Sequence, residues 1–244
     1  MVLVFDVGNT RIKAAVFEGN TLLESFVFVA EDLPIRLPEL LKKHALISAI
    51  VHASVGDSVL GSIQEAAQKI PIYSISPQTL FPFTNRYATP ETLGIDRMVL
   101  AAGAVLQFPT QNRLVIDAGT CITFDYINAA NEYLGGAIAP GIEMRYKALH
   151  QYTAKLPLLE KKIPEREIGN TTAESMHVGV VQGVLHEIAG ALSAYESRTG
   201  NFIIILTGGD AEFLAKRFKN TIFANSNFLL EALNQLYQYQ TQND

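Results

Sequence analysis

Two short stretches of the chain share one grammar. The first is VLVFDVGNTRIK from Val2, the second RLVIDAGTCIT from Arg113. In each, an apolar run of β character ends in an aspartate, Asp6 or Asp117. A turn of small residues follows, and a second β-type run returns. A single such turn is accounted for as a favourable hairpin. Two at matching places point to a duplicated unit large enough to enclose everything between them.

The flanking segments repeat as well. Strands are expected at 2–6, 11–17 and 22–28, a short helix at 37–44 and a buried strand at 47–53. A helix at 57–69 follows from the spacing of Val59, Leu60, Ile63, Ala66 and Ala67, then a short strand at 72–75. Residues 76–94 are aromatic, Pro-rich and irregular, and 96–108 reads as helix. The order then restarts. Strands are expected at 113–117, 121–127 and 132–138, and a helix begins after Pro140-Gly141. Residues 154–169 are charged and Pro-broken, a surface excursion. A long helix at 172–197, a strand at 202–206, the turn Thr207-Gly208-Gly209-Asp210, a helix at 211–217, a strand near 221–223 and a helix at 227–238 complete the chain. Each half therefore reads βββ followed by alternating helices and strands. An α/β chain of two domains is expected, 1–112 and 113–244.

Composition fits that picture. The chain has 244 residues, 48% hydrophobic and 18% charged, enough for two cores. No run reaches the roughly 18 uninterrupted apolar residues of a membrane span. The N-terminal apolar run stops at Asp6, unlike a signal peptide. The single cysteine, Cys121, precludes an internal disulfide and suits a reducing compartment, so a cytoplasmic location with no membrane partner is expected. A net charge of -5 and the lack of a Lys/Arg block argue against nucleic-acid binding.

The turns themselves suggest chemistry. The sequence VGNT offers backbone N–H groups with little side-chain obstruction, and Asn9 and Thr10 add donors. Such a turn can grip phosphate oxygens. An aspartate beside it would repel phosphate unless a cation intervenes, so Asp6 suits Mg²⁺ or a water of Mg²⁺. Lys13, on the returning strand, can reach a phosphate as a point charge. The turn at 207–210 could serve the nucleotide end, although strand-to-helix turns are often Gly-rich. No G-x-x-x-x-G-K-[ST], G-x-G-x-x-G, protein-kinase signature, G-x-S-x-G or Cys/His cluster is present. The stretch Tyr87 to Arg97 places Gly94 just before a helix and Asp96 in its first turn. Asp96 can simply complement the helix dipole, or accept a proton from a substrate hydroxyl. Arg97 can form a salt bridge, or bind a carboxylate or a transferring phosphoryl group. The five histidines are scattered and suggest no ligand set.

Five motifs together resemble the type III pantothenate kinases: D-V-G-N-T-x-x-K at 6–13, G-I-D-R at 94–97, D-A-G-T at 117–120, G-G-A-I-A-P-G at 135–141 and G-N-T-T at 169–172. They run in the family's order over most of the chain. The wider group of acetate and sugar kinases, heat-shock ATPases and actin shares the D-x-G-x-T turns but not the G-x-D-R element. The resemblance implies two tandem RNase H-like (actin-like ATPase) βββαβα domains with ATP bound in the cleft between them. It implies ATP-dependent phosphorylation of pantothenate to 4'-phosphopantothenate, the first step of coenzyme A biosynthesis. It implies a homodimer with the active site at the subunit interface.

Residue by residue, Asp6, Val7, Gly8, Asn9, Thr10, Arg11, Ile12 and Lys13 match the family's first phosphate loop, with Asp6 near Mg²⁺. Thr120 matches a second ATP contact, and Asp117 the ligand of a monovalent cation, K⁺ or NH₄⁺. Asp96 matches the catalytic base. Tyr87, Gly94, Ile95, Asp96, Arg97 and Thr172 match pantothenate contacts. Cys121 stands where a smaller residue such as Ala is expected, a conservative departure. The alternative is a non-catalytic nucleotide-binding transcriptional accessory factor of the same family. Such a protein would tolerate loss of Asp96 or Arg97, and both are present.

Overall fold

A computed structural model of the chain describes residues 1–8, 11–53, 57–67, 69–218 and 222–243. It divides into two compact units, Met1–Pro109 with Asn227–Asp244, and Thr110–Ser226.

In the first unit, β1 (Val2–Val7), β2 (Ile12–Glu18) and β3 (Thr21–Phe28) form an antiparallel meander. Helix α1 (Leu33–Lys43) leads to β4 (Ala49–Ala53), which lies parallel to β1. Helix α2 (Asp57–Ala67) leads to β5 (Ile72–Ile75), parallel to β4. The sheet order is β3-β2-β1-β4-β5. A two-residue strand, β6 (Thr84–Asn85), precedes helix α3 (Ile95–Gln107).

Side-chain alternation builds the layers. Leu3, Phe5, Ala14, Val16 and Ile50 point to one face and cluster with Leu33, Leu37 and Leu40 of α1 and Val59 and Ile63 of α2. Helix α1 starts four residues before the expected helix at 37–44. Pro34 sits in its first turn, where a missing N–H costs nothing, so proline marks the start of this helix.

In the second unit, β7 (Arg113–Ala118), β8 (Cys121–Ile127) and β9 (Glu132–Pro140) repeat the meander. Then come α4 (Ile142–Gln151), an irregular segment to Thr171, α5 (Thr172–His177), a π-helical turn at Val178–Gln182 and α6 (Gly183–Thr199). Strand β10 (Ile203–Thr207) lies parallel to β7, α7 (Ala211–Ala215) follows, and β11 (Ile222–Ala224) lies parallel to β10. Its strand sequence β11-β10-β7-β8-β9 has the topology of the first unit's sheet. Leu114, Ile116, Ile122 and Phe124 face a core completed by Tyr146, Val184, Ile188, Leu206 and Leu214. The long helix expected at 172–197 is therefore interrupted by a π turn, a form that recurs at functional sites.

Helix α8 (Phe228–Asn243) differs from the expected division at 112/113. It packs on α3 and along β1 and β4, within the first unit. Phe228, Leu230, Leu233 and Leu236 are buried. Each such side chain contributes about 1.5–3 kcal/mol when removed from water. The second face of the first sheet needs that cover, and chain order alone does not reveal which sheet a terminal helix joins. Among the described residues, no helix is long and apolar enough to cross a membrane.

Candidate active site

The first turn closes through the Gly8 N–H, which donates to the Arg11 carbonyl at 3.1 Å. Asn9 and Thr10, two expected ATP contacts, lie outside the described residues. Val7 and Ile12 pair across the hairpin, and Ile12 is part of the core, so only their backbone faces the turn. Arg11 is exposed. Asp6 pairs with Lys13 on β2 and with Ala53 on β4. Burial is the largest influence on Asp6 and pushes its pKa up, Lys13 pulls it down, and Asp96 pushes it up again. The first unit thus brings together three of the expected residues, Asp6, Lys13 and Asp96, from two strands and a helix.

Asp96 lies in the first turn of α3, exposed, and its Oδ1 accepts from the backbone N–H of Arg97 at 2.9 Å. The helix has no side-chain cap at Gly94, so the Asp96 carboxylate takes up part of the terminal N–H array itself. The glycine leaves room for this carboxylate: a Cβ at Gly94 would stand 2.4 Å from Asp96 Oδ1. Arg97 is buried, with its guanidinium 5.9 Å from the centre of the Tyr87 ring. The Tyr87 N–H donates to Asn85 Oδ1 at 2.9 Å. Tyr87, Gly94, Ile95, Asp96 and Arg97 therefore form one local constellation.

In the second unit, Asp117 lies one residue before the end of β7, with Thr123 of β8 directly opposite on one side and Thr207 of β10 on the other. The Thr123 hydroxyl is buried without a hydrogen-bond partner among the described residues. Gly208 adopts φ +92, and a Cβ there would lie 2.4 Å from Asp117 Oδ1 and 2.4 Å from the Ala118 carbonyl. The Asp210 N–H donates to that carbonyl at 2.9 Å, so the third small-residue turn packs against the second. Thr120 is exposed in the hairpin, its carbonyl accepting from the Gly141 N–H at 3.1 Å. Lys161 pairs with Asp210 and lies 5.4 Å from the Phe213 ring centre, tying the irregular segment to this end of the unit.

Thr172 is the first residue of α5, and the preceding Thr171 caps the helix by accepting from the Glu174 N–H at 3.2 Å. It lines an open pocket within the second unit. Sequence reasoning did not single out Thr123, and named Thr207 only as part of the turn at 207–210. The signal for Thr123 was available in RLVIDAGTCITFD, which sets it across the hairpin from Asp117. Among the described residues, no group of three or more His, Cys, Asp or Glu side chains could hold a metal ion.

A model of the type III pantothenate kinase family matches residues 2–194. A protein from Flavobacterium johnsoniae named Type III pantothenate kinase is 59% identical over 244 residues, covering 100% of each chain. Among solved structures, a protein from Campylobacter jejuni described as a Baf family transcriptional activator has a TM-score of 0.66 at 21% identity, covering 98% of this chain and 99% of that one. An inorganic polyphosphate/ATP-glucomannokinase from Arthrobacter sp. strain KM has a TM-score of 0.52 at 14% identity, covering 100% and 99%. At those identities the two structures report the fold, which is the two-domain α/β fold found in sugar kinases. The family match, the full-length relative and the five motifs in order agree, and the chain belongs to the type III pantothenate kinase family.

Proposed function

We propose that this chain transfers the γ-phosphoryl group of ATP to the primary hydroxyl of pantothenate, giving 4'-phosphopantothenate and ADP at the entry to coenzyme A biosynthesis. The observation that carries the reading is the grouping of Asp6, Lys13 and Asp96 in one unit of a family member. Asp96 accepts the proton of the hydroxyl as its oxygen attacks phosphorus and the bond to the ADP oxygen breaks. Its exposure at a helix start leaves the carboxylate open to an incoming alcohol. Lys13 and the backbone donors of the first turn, with Thr120 from the second, hold the phosphates. Tyr87, Arg97 and the backbone of 94–97 orient pantothenate, with Thr172 as a further contact.

The residues fit the cations that the family resemblance implies. A half-buried carboxylate pushed up in pKa by desolvation and by a second carboxylate is relieved by a divalent cation. One or two carboxylates with substrate phosphates are an ordinary Mg²⁺ donor set, so Asp6 would hold Mg²⁺, directly or through water. Asp117 with the orphaned Thr123 hydroxyl offers oxygen donors for a monovalent cation, K⁺ or NH₄⁺. When bound, these cations neutralise charge on the transferring group.

Self-association belongs to the same reading. Leu134, Ile138, Tyr152 and Ile168 of the second unit are exposed apolar side chains, which supports a homodimer that completes the pantothenate site. A cytoplasmic location accords with it.

The test is ADP release with ATP, Mg²⁺ and pantothenate, run in K⁺ and in Na⁺ with Asp96→Asn alongside. Pantothenate-dependent turnover is expected in K⁺, reduced in Na⁺ and lower by about 10²–10⁴ in the variant. No turnover with pantothenate in any salt would remove the reading, and near wild-type turnover in Asp96→Asn would remove the base.

A further inference from the structure

The pocket around Thr172 has walls that no single rigid element supplies. It is a cavity of about 720 Å³ lined by Leu149 of α4, Leu156 and Asn170 of the irregular segment, Thr172 and Met176 of α5, and Gly179 of the π turn. Helix α5 has only six residues, and the segment from 152 to 171 has neither helix nor strand. Something must fix these pieces against one another if the pocket is to have a defined shape.

One buried hydrogen bond joins two of them. Tyr146 on α4 is 1% exposed, and its hydroxyl lies 2.7 Å from Nδ1 of His177, which is 6% exposed. His177 is the last residue of α5, where the α-helical pattern passes into the π turn. Burial pushes the phenol's pKa up, and the backbone of Lys162 in the irregular segment opposes that rise. Tyr146 thus joins α4 to the end of α5 through a buried hydrogen bond while its ring is part of the core beneath α4.

We infer that Tyr146 is a positioning residue for the alcohol substrate: its hydroxyl ties α4 to the α5–π junction and so sets the affinity for pantothenate. This rests on the reading of Thr172 as a substrate contact. Nothing in it touches the reacting atoms, so the rate of the chemical step is left alone.

The experiment compares Tyr146→Phe with wild type by steady-state kinetics and by hydrogen exchange over residues 152–179. The phenylalanine keeps the ring and strands a ring nitrogen of the buried His177. The KM for pantothenate should rise about 5- to 100-fold, with kcat and the KM for ATP within about twofold. Exchange over 152–179 should quicken. Tyr133→Phe is the control, since Tyr133 donates to the buried Asp125 at 2.6 Å in the same unit. It should lower thermal stability without moving the KM. An unchanged pantothenate KM in Tyr146→Phe, or an equal rise in Tyr133→Phe, overturns the inference. If Tyr146→Phe does not fold, His177→Asn and His177→Leu decide. Asn offers its Oδ1 near the position of Nδ1 and should behave as wild type, Leu should not, and equal KM values sink the idea. A wild-type enzyme without pantothenate turnover removes the functional reading instead. Quickened exchange in Tyr146→Phe would then still uphold the structural tie, and unchanged exchange would remove that too.

Discussion

Asp6 and Lys13 stand opposite each other as one rung of the β1–β2 hairpin, and Lys13 is the group that holds down the pKa of a carboxylate that burial pushes up. The strand pairing that builds the sheet therefore also sets the ionisation of the site. Replacing Lys13 by Met keeps the stem and removes the charge. The Asp6 pKa should rise further, and the acidic limb of the pH profile of kcat/KM should move to higher pH. Turnover should fall by about 10²–10³, the scale for one lost charge-stabilising donor. An acidic limb that stays in place in Lys13→Met would show that Asp6 does not govern it.

Asp6→Asn should separate stability from activity. The folded-state pKa of Asp6 lies above the unfolded value, so the protonated form favours folding and that favour is lost as pH rises through the folded pKa. Above that pH the native chain holds a partly desolvated charge that asparagine lacks. The variant should therefore melt higher than wild type at neutral and alkaline pH, with the gap closing in acid, while turnover collapses. In a chain of this length, each kcal/mol moves Tm by about 2–4 °C. Calorimetry across pH checks the sign, and a gap that widens in acid contradicts it.

Gly94→Ala should damage chemistry more than folding. The backbone at Gly94, φ -58 and ψ 135, is open to any residue. The new Cβ would meet the Asp96 carboxylate oxygen at 2.4 Å, so the carboxylate must turn away. Misplacement by about 1 Å can cost on the order of 10²-fold in rate. We expect kcat to drop by that order with Tm within about 3 °C of wild type. A normal kcat would mean that the carboxylate has room to spare.

Gly208→Ala should fail in both respects. Its φ of +92 is unfavourable for alanine, and the added methyl carbon would lie 2.4 Å from the Ala118 carbonyl and 2.4 Å from Asp117 Oδ1. The cost is about 1–3 kcal/mol of stability, together with a displaced Asp117. Denaturant titration measures the first. The concentration of K⁺ needed for half-maximal activation measures the second, and it should rise.

Much of this was legible in the sequence because alternation and turn chemistry are local. The meanders at 2–28 and 113–140 follow from period-two apolar runs broken at Gly-Asn and Gly-Thr. The clustering of Tyr87 with 94–97 was legible because all of it lies within one short stretch. Other features were not local. A helix was expected only at 37–44, but α1 begins at Leu33 and holds Pro38 in its interior, because packing of Leu33, Leu37 and Leu40 outweighs one lost hydrogen bond. The π turn leaves no mark on the apolar spacing of 172–197. The pairing of Tyr146 with His177 joins residues 31 apart through a buried hydroxyl, and neither position carries a motif. Helix α8 shows an apolar face in its sequence but not which sheet it will cover.

That last placement has a consequence for the order in which the chain can acquire structure. The second unit is continuous, from Thr110 to Ser226, and holds every residue of its own core before synthesis reaches α8. The unit that carries Asp6, Lys13 and Asp96 is translated first yet lacks a wall of its interior until residues 227–243 have been made. The unit with Asp6, Lys13 and Asp96 is thus sealed by a helix made after the whole of the second unit, and an early break in translation leaves it open.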